Sequence, residues 1–149
     1  MSDFIKASNV FFDVPAADVD EALAFLSDKA IELGLSDDRD AVLAAFKARE
    51  SEGTTGMMGG FAIPHAKSDA IKDAAILVAK FAGDVKWDSM DGSAIKVAIA
   101  LLVPGGEAGT THMQLLSKVA ALLLDDKFRD EIKDASDAEA VAAAIVKGL

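Results

Sequence analysis

The 149 residues contain no cysteine, which excludes disulfides, thiolate metal sites and a cysteine nucleophile, and which suits a reducing, cytoplasmic setting. Long apolar runs are missing too. The longest, Val97 to Val103, is strand-sized, far short of the roughly 18 residues that a membrane span needs, so direct membrane insertion is not expected. Residues 1 to 15 include Asp3 and Asp13 and lack the basic start and apolar stretch of a signal peptide, so export is not expected either. Basic charge is scarce: 15 Lys plus Arg stand against 25 Asp plus Glu, a formal charge of −10. That balance opposes approach to nucleic acid. Histidines number only two, and no fixed metal-ligand motif surrounds them, so neither a metal nor a cofactor is expected.

What is present suits one compact domain over residues 1–149, because 52% of the chain is hydrophobic and no linker or repeat divides it. Asn9 to Val14 reads as a strand, followed by a helix in which Val19, Leu23, Leu26, Ala30 and Leu33 recur at helical spacing until Gly34. Ser36 and Asp37 can cap a second helix that carries Val42, Ala45, Phe46 and, near its end, Arg49. Gly53, Gly56, Gly59 and Gly60 mark a loop, after which a short run from Phe61 to Pro64 delivers His65. Ala74 to Phe81 and Ile95 to Val103 read as strands covered on both faces. Thr111 and Gln114 fit a capping box opening a helix with His112 in its first turn, and Ser136 and Glu139 fit another before a final helix; a helix is also read around Phe128 to Lys133. The expected class is α/β, a mixed central sheet flanked by helices on both faces.

Both histidines sit beside glycine-rich loops. Pro64 fixes its own φ and pushes Ile63 toward extended backbone, so His65 follows a stiff segment. Phosphoryl transfer asks for a neutral nucleophilic nitrogen and for donors that spread charge on the transferred group. The N–H groups of Gly56 to Gly60 could form an anion nest, the helix end at His112 offers a positive dipole that keeps its ring neutral, and Arg49 or Lys67 could add a cation. Residue types alone leave the ordinary alternatives open: structural histidines, solvated charges, Trp87 and the Met57-Met58 pair as packing, and glycines that merely turn the chain, since no Gly-Lys-Ser/Thr ending follows them.

The segment Arg49-Glu50 followed by Glu52-Gly53-Thr54-Thr55-Gly56 and Gly60-Phe61-Ala62-Ile63-Pro64-His65-Ala66 resembles the active-site signature of fructose/mannitol-type enzyme IIA domains of the sugar phosphotransferase system. Lys86-Trp87-Asp88, Asp91-Gly92 and His112-Met113-Gln114-Leu115-Leu116 are similar to later elements of that family, so the likeness covers nearly the whole chain. Phe61 stands where a smaller aliphatic is usual, and Met57-Met58 replaces an aliphatic and glycine pairing. The resemblance implies that His65 accepts phosphate at Nε2 from the phosphohistidine of HPr and passes it to a cysteine of enzyme IIB, which serves the membrane enzyme IIC. It also implies that Arg49 and His112 surround the phosphate and that Thr55 and Gly56 belong to a phosphate-binding loop. With no cysteine in the chain, the onward acceptor is expected outside these 149 residues. A regulatory, nitrogen-related enzyme IIA that acts by phosphorylation-dependent protein binding is the alternative, and a metalloenzyme using both histidines and a carboxylate is a further one. Phe61 with Met57 or Met58 is expected to border the face on which HPr docks.

Overall fold

The computed structural model describes residues 4–107 and 110–149, without the side chains of 107 and 110–112. Five strands and five helices follow in the order β1 (Val10–Val14), α1 (Val19–Glu32), α2 (Arg39–Ser51), β2 (Phe61–Ala62), β3 (His65–Ser68), β4 (Ala75–Val85), β5 (Ile95–Pro104), α3 (Thr110–Leu122), α4 (Asp126–Asp134) and α5 (Ala138–Gly148). The strands form one mixed sheet. β1 runs parallel to β4, β4 antiparallel to β5, and β2 and β3 both run parallel to β5 along its outer side.

β4 and β5 are apolar on both faces because helices cover both, as the sequence predicts. On one face Ile76, Val78, Val97, Ile99 and Leu101 pack with residues of α3, α4 and α5; on the other Leu77, Ala79, Ala98, Ala100 and Leu102 pack with α1 and α2. The second face is rich in alanine, so the two helices can lie close to the sheet, and the bulky Leu23, Leu26 and Phe46 occupy the space.

Helix ends are set locally. Asp18 caps α1 by accepting from the Glu21 N–H, and the helix stops at Gly34, whose φ of 75° lets Leu35 N–H reach Ala30 O and Gly34 N–H reach Ile31 O. That is the paired bond pattern of a Schellman motif. Two caps differ from expectation by one or two positions. Asp38, not Ser36 or Asp37, caps α2 through the Ala41 N–H, while Ser36 Oγ accepts from Asp38 N–H instead. Asp137, not Ser136, caps α5 through the Glu139 N–H. In each case several neighbouring Ser and Asp side chains are chemically competent, and the backbone path selects among them. α3 begins at Thr110, one residue before the expected cap Thr111, whose side chain lies outside the described residues.

The run expected from Phe61 to Pro64 is instead one edge path in two pieces. Phe61 pairs with Val97 and His65 with Leu101, so the register does not slip across Ile63-Pro64. Pro64 has no N–H, yet its carbonyl accepts from Leu101 N–H at 2.9 Å, which is why an edge position tolerates it. His65 therefore opens β3 rather than ending the preceding run.

The alanine-lined face makes a direct prediction. Ala100→Leu places a branched side chain where no volume is free, and it should lower unfolding free energy by about 1–3 kcal/mol in urea titration, with the m-value unchanged.

Candidate active site

Val42 and Phe46 of α2 are fully buried against the sheet. Arg49 lies one turn beyond Phe46 on the same stripe, so the packing that seats α2 also carries Arg49 to the edge strand. There its Nε donates to His65 Nε2 at 2.9 Å, and its Nη1 donates to Gly53 O at 2.8 Å. A cavity of about 450 Å³ opens at this edge, lined by Ala45, Ala48, Arg49 and Glu52 of the α2 end, His65 and Lys67 of β3, and Leu116 of α3. His65 is nevertheless only 6% exposed.

Hydrogen bonding assigns the ring's protons. Nδ1 lies 3.0 Å from Ile63 O, and a carbonyl can only accept, so Nδ1 carries the hydrogen. Nε2 accepts from Arg49, so it carries none. The ring is neutral in this arrangement, with its lone pair on the atom that faces the Arg49 side.

The glycine-rich loop serves this geometry in a way the sequence does not predict. Glu50, the residue after Arg49, takes Thr55 N–H on both carboxylate oxygens at 3.1 Å, and its Oε1 also accepts from the Thr55 hydroxyl and from Trp87 Nε1 at 3.2 Å. Thr54 Oγ1 donates to Asp88 O and accepts from Gly56 N–H. Met57 N–H donates to Phe61 O, and Gly59 N–H to Asp91 Oδ2. The N–H groups of Thr55 and Gly56, the residues expected in a phosphate-binding loop, donate within the loop segment, to Glu50 and to Thr54 Oγ1. Gly56 is required for another reason. A Cβ there would meet the Asp88 carbonyl oxygen at 2.0 Å.

Other site expectations divide. Lys67 lines the cavity, and its side chain is exposed. The backbone of His112 lies in the first turn of α3, while its side chain lies outside the described residues. Phe61 is fully buried in the core beside α3 and α4 and so does not border a docking face as expected, while Met57 and Met58 are half-buried, Met57 packing against that core. Alternation sends Phe61 and Ile63 into one core and Ala62 into the other, and both faces of β2 are covered. Met113 lies three residues before the cavity-lining Leu116 on α3 and is 56% exposed. Glu50 went unassigned in the sequence; its signal is a carboxylate placed directly after the arginine and five residues before a threonine in a turn. Among the described residues no group of three or more His, Cys, Asp or Glu could hold a metal, and no helix is long and apolar enough to cross a membrane.

The chain is similar to known proteins in both sequence and fold. The family model described as "Phosphoenolpyruvate-dependent sugar phosphotransferase system, EIIA 2" matches residues 3–148. The PTS system fructose-specific EIIA component of Haloferax volcanii is 36% identical over 132 residues, spanning 89% of this chain and 85% of that protein. Nitrogen regulatory protein IIA-Ntr from Neisseria meningitidis superposes with a TM-score of 0.89 at 26% identity, over 97% of each chain. The enzyme IIAMTL–phosphorylated enzyme IIBMTL complex from Escherichia coli matches with a TM-score of 0.80 over 96% of this chain and 97% of that one, at 16% identity, a likeness of fold alone.

Asp91 ties the far side of the loop. It accepts from Gly59 N–H and from the N–H and hydroxyl of Ser93, and these bonds, the Ser93 hydroxyl first and the Gly59 N–H next, hold its carboxyl well below the usual aspartate range. A carboxylate whose folded-state pKa is depressed stabilises the fold above its ordinary pKa and loses that contribution as pH falls toward the folded value. The stability gap between wild type and Asp91→Asn should thus be widest near neutrality and should close as pH drops below the ordinary aspartate range, as measured by denaturant titration across pH.

Proposed function

The chain belongs to the EIIA 2 family of the phosphoenolpyruvate-dependent sugar phosphotransferase system, and from that premise we propose that His65 carries the phosphoryl group on Nε2. The phosphate comes from phospho-HPr in the cytoplasm and goes to a cysteine of an enzyme IIB, which serves sugar uptake through a membrane enzyme IIC. One observation carries the reading: Ile63 O holds the proton on Nδ1 and leaves the lone pair on Nε2.

The Nε2 lone pair attacks phosphorus in line with the donor's N–P bond, and the donor imidazole takes back the electron pair of that bond as it leaves. No proton has to move on His65. The ring becomes cationic as the new N–P bond forms, and the Ile63 carbonyl, already receiving Nδ1–H, stabilises that charge. Arg49 must give up the lone pair at this moment. Its guanidinium is then free to donate to a phosphoryl oxygen, supplying the fixed positive charge that a dianionic group needs. His112, in the first turn of α3, would donate one further hydrogen bond with a neutral ring. Loop residues Thr55 and Gly56 support the site by holding its shape. Met113 and Leu116 would give HPr an apolar contact beside the histidine, suited to a transient carrier.

A second reading is favoured by the high structural likeness to a nitrogen regulatory protein. In that case His65 is phosphorylated in the same way, but the modified protein acts by binding other proteins. Transfer onward to an enzyme IIB separates the two.

Incubation with phosphoenolpyruvate, enzyme I and HPr should place acid-labile phosphate on His65, and His65→Ala should remain unlabelled. Stable phosphate on a serine or threonine would reject the reading. Single-turnover rates should then separate the helpers. Arg49→Ala should slow both half-reactions, whereas His112→Ala should still accept phosphate yet lose about 10²-fold or more in transfer to enzyme IIB. If His112→Ala abolished labelling and His65→Ala kept it, the two roles would be exchanged.

A further inference from the structure

The carbonyl that fixes the His65 ring is itself held in place by a chain of contacts that begins at Glu50. Ile63 O receives Nδ1–H of His65, so the ring's orientation depends on where Ile63 sits. On one side Ile63 N–H donates to Thr55 O at 3.0 Å; on the other, Pro64 O accepts from Leu101 N–H at 2.9 Å. The second anchor is the central strand. The first is a loop residue that owes its own position to Glu50, which receives both the N–H and the hydroxyl of Thr55. Trp87, 6% exposed, adds a further donor to the same carboxylate through its Nε1–H.

We propose that Glu50 is a positioning residue for phosphoryl transfer, acting through Thr55 and Ile63 to keep His65 in the Nδ1–H tautomer with Nε2 presented to the donor. The chemistry favours a carboxylate over any neutral side chain. Its Oε1 meets three donors and Oε2 meets a fourth contact, the shared Thr55 N–H. Glutamine keeps one acceptor but would turn an NH₂ toward the Thr55 N–H, donor against donor. Without the clamp, Thr55 O moves, Ile63 loses one of its two anchors, and the ring is free to exchange tautomers or rotate away from Arg49.

The ring's tautomer can be read without any phosphoryl transfer, by long-range nitrogen–proton NMR of the unphosphorylated protein. That arm is independent of the proposed function, whereas the kinetic arm, single-turnover labelling by phospho-HPr, rests on it. Wild type should show Nδ1 protonated and Nε2 bare. Glu50→Ala should give a mixture of tautomers and a labelling rate lower by about 10- to 100-fold, the range seen when an outer partner that orients a histidine is removed. Glu50→Gln should lie between the two in both measurements. Should Glu50→Ala fail to fold, the near-isosteric Gln variant, with its melting transition checked, decides the matter. An unchanged tautomer in Glu50→Gln with a wild-type rate would overturn the proposal, and so would a lost rate with the tautomer unchanged, since Glu50 would then act by another route. A wild-type ring protonated on Nε2 would also overturn it. Labelling that persists in His65→Ala would instead defeat the functional reading and leave the tautomer result standing.

Discussion

A hydrogen bond from the His65 ring to the carbonyl two residues earlier fixes which nitrogen keeps its lone pair, and much of the surrounding structure serves to hold that carbonyl still. Ile63 O belongs to the peptide preceding Pro64, whose ring fixes its own φ and pushes Ile63 toward extended backbone. The neighbouring groups are then spoken for: Ile63 N–H by Thr55, Pro64 O by the central strand. Left with few torsional choices, the segment delivers an imidazole in one tautomer. A histidine on an unsupported loop would exchange its proton between both nitrogens and offer the lone pair on each.

The placement of that segment at a sheet edge follows from the same constraint. A central strand must donate and accept on both sides, and proline cannot meet that requirement. An edge strand needs only one ladder, which β5 supplies without a register slip across Ile63-Pro64. The other side of β3 is left to side chains from α2, whose buried stripe of Val42 and Phe46 ends in Arg49. Core packing and site geometry are thus one arrangement: the alanines of β4 and β5 that let α2 lie close to the sheet also set the reach of its arginine.

Strand and helix identities were legible because burial imposes periodicity. β4 and β5 read as two-sided runs, α1 and α2 as stripes, and His65 and Arg49 as residues at the ends of stiff elements. Caps were legible in kind but not in position, since Asp37, Asp38, Ser136 and Asp137 are equally competent until the backbone selects one. The loop's internal bonding was not legible, for a deeper reason. Glycine spacing shows that a chain turns tightly but not where its N–H groups point, and here they point inward, to Thr54 Oγ1 from Gly56 and to Asp91 from Gly59. Phe61 was misread because both faces of β2 are covered, Phe61 packing into one core and Ala62 into the other, so the short strand offers no exposed face.

Arg49 and Glu50 are adjacent and oppositely charged, yet each has other partners: Arg49 bonds to His65 Nε2 and Gly53 O, Glu50 to Thr55 and Trp87. The separation follows from helix geometry, because consecutive residues project about 100° apart around the axis. It matters in a chain with a formal charge of −10, where the proposed dianionic phosphate would meet an unfavourable overall field. A carboxylate turned toward the histidine would cancel the arginine there. Turned instead toward a backbone N–H, a hydroxyl and an indole N–H, its charge is stabilised by local donors, and the guanidinium remains directed at the ring. The acidic character of the molecule and a locally cationic site are thereby compatible, because two neighbouring residues on one helix face different elements.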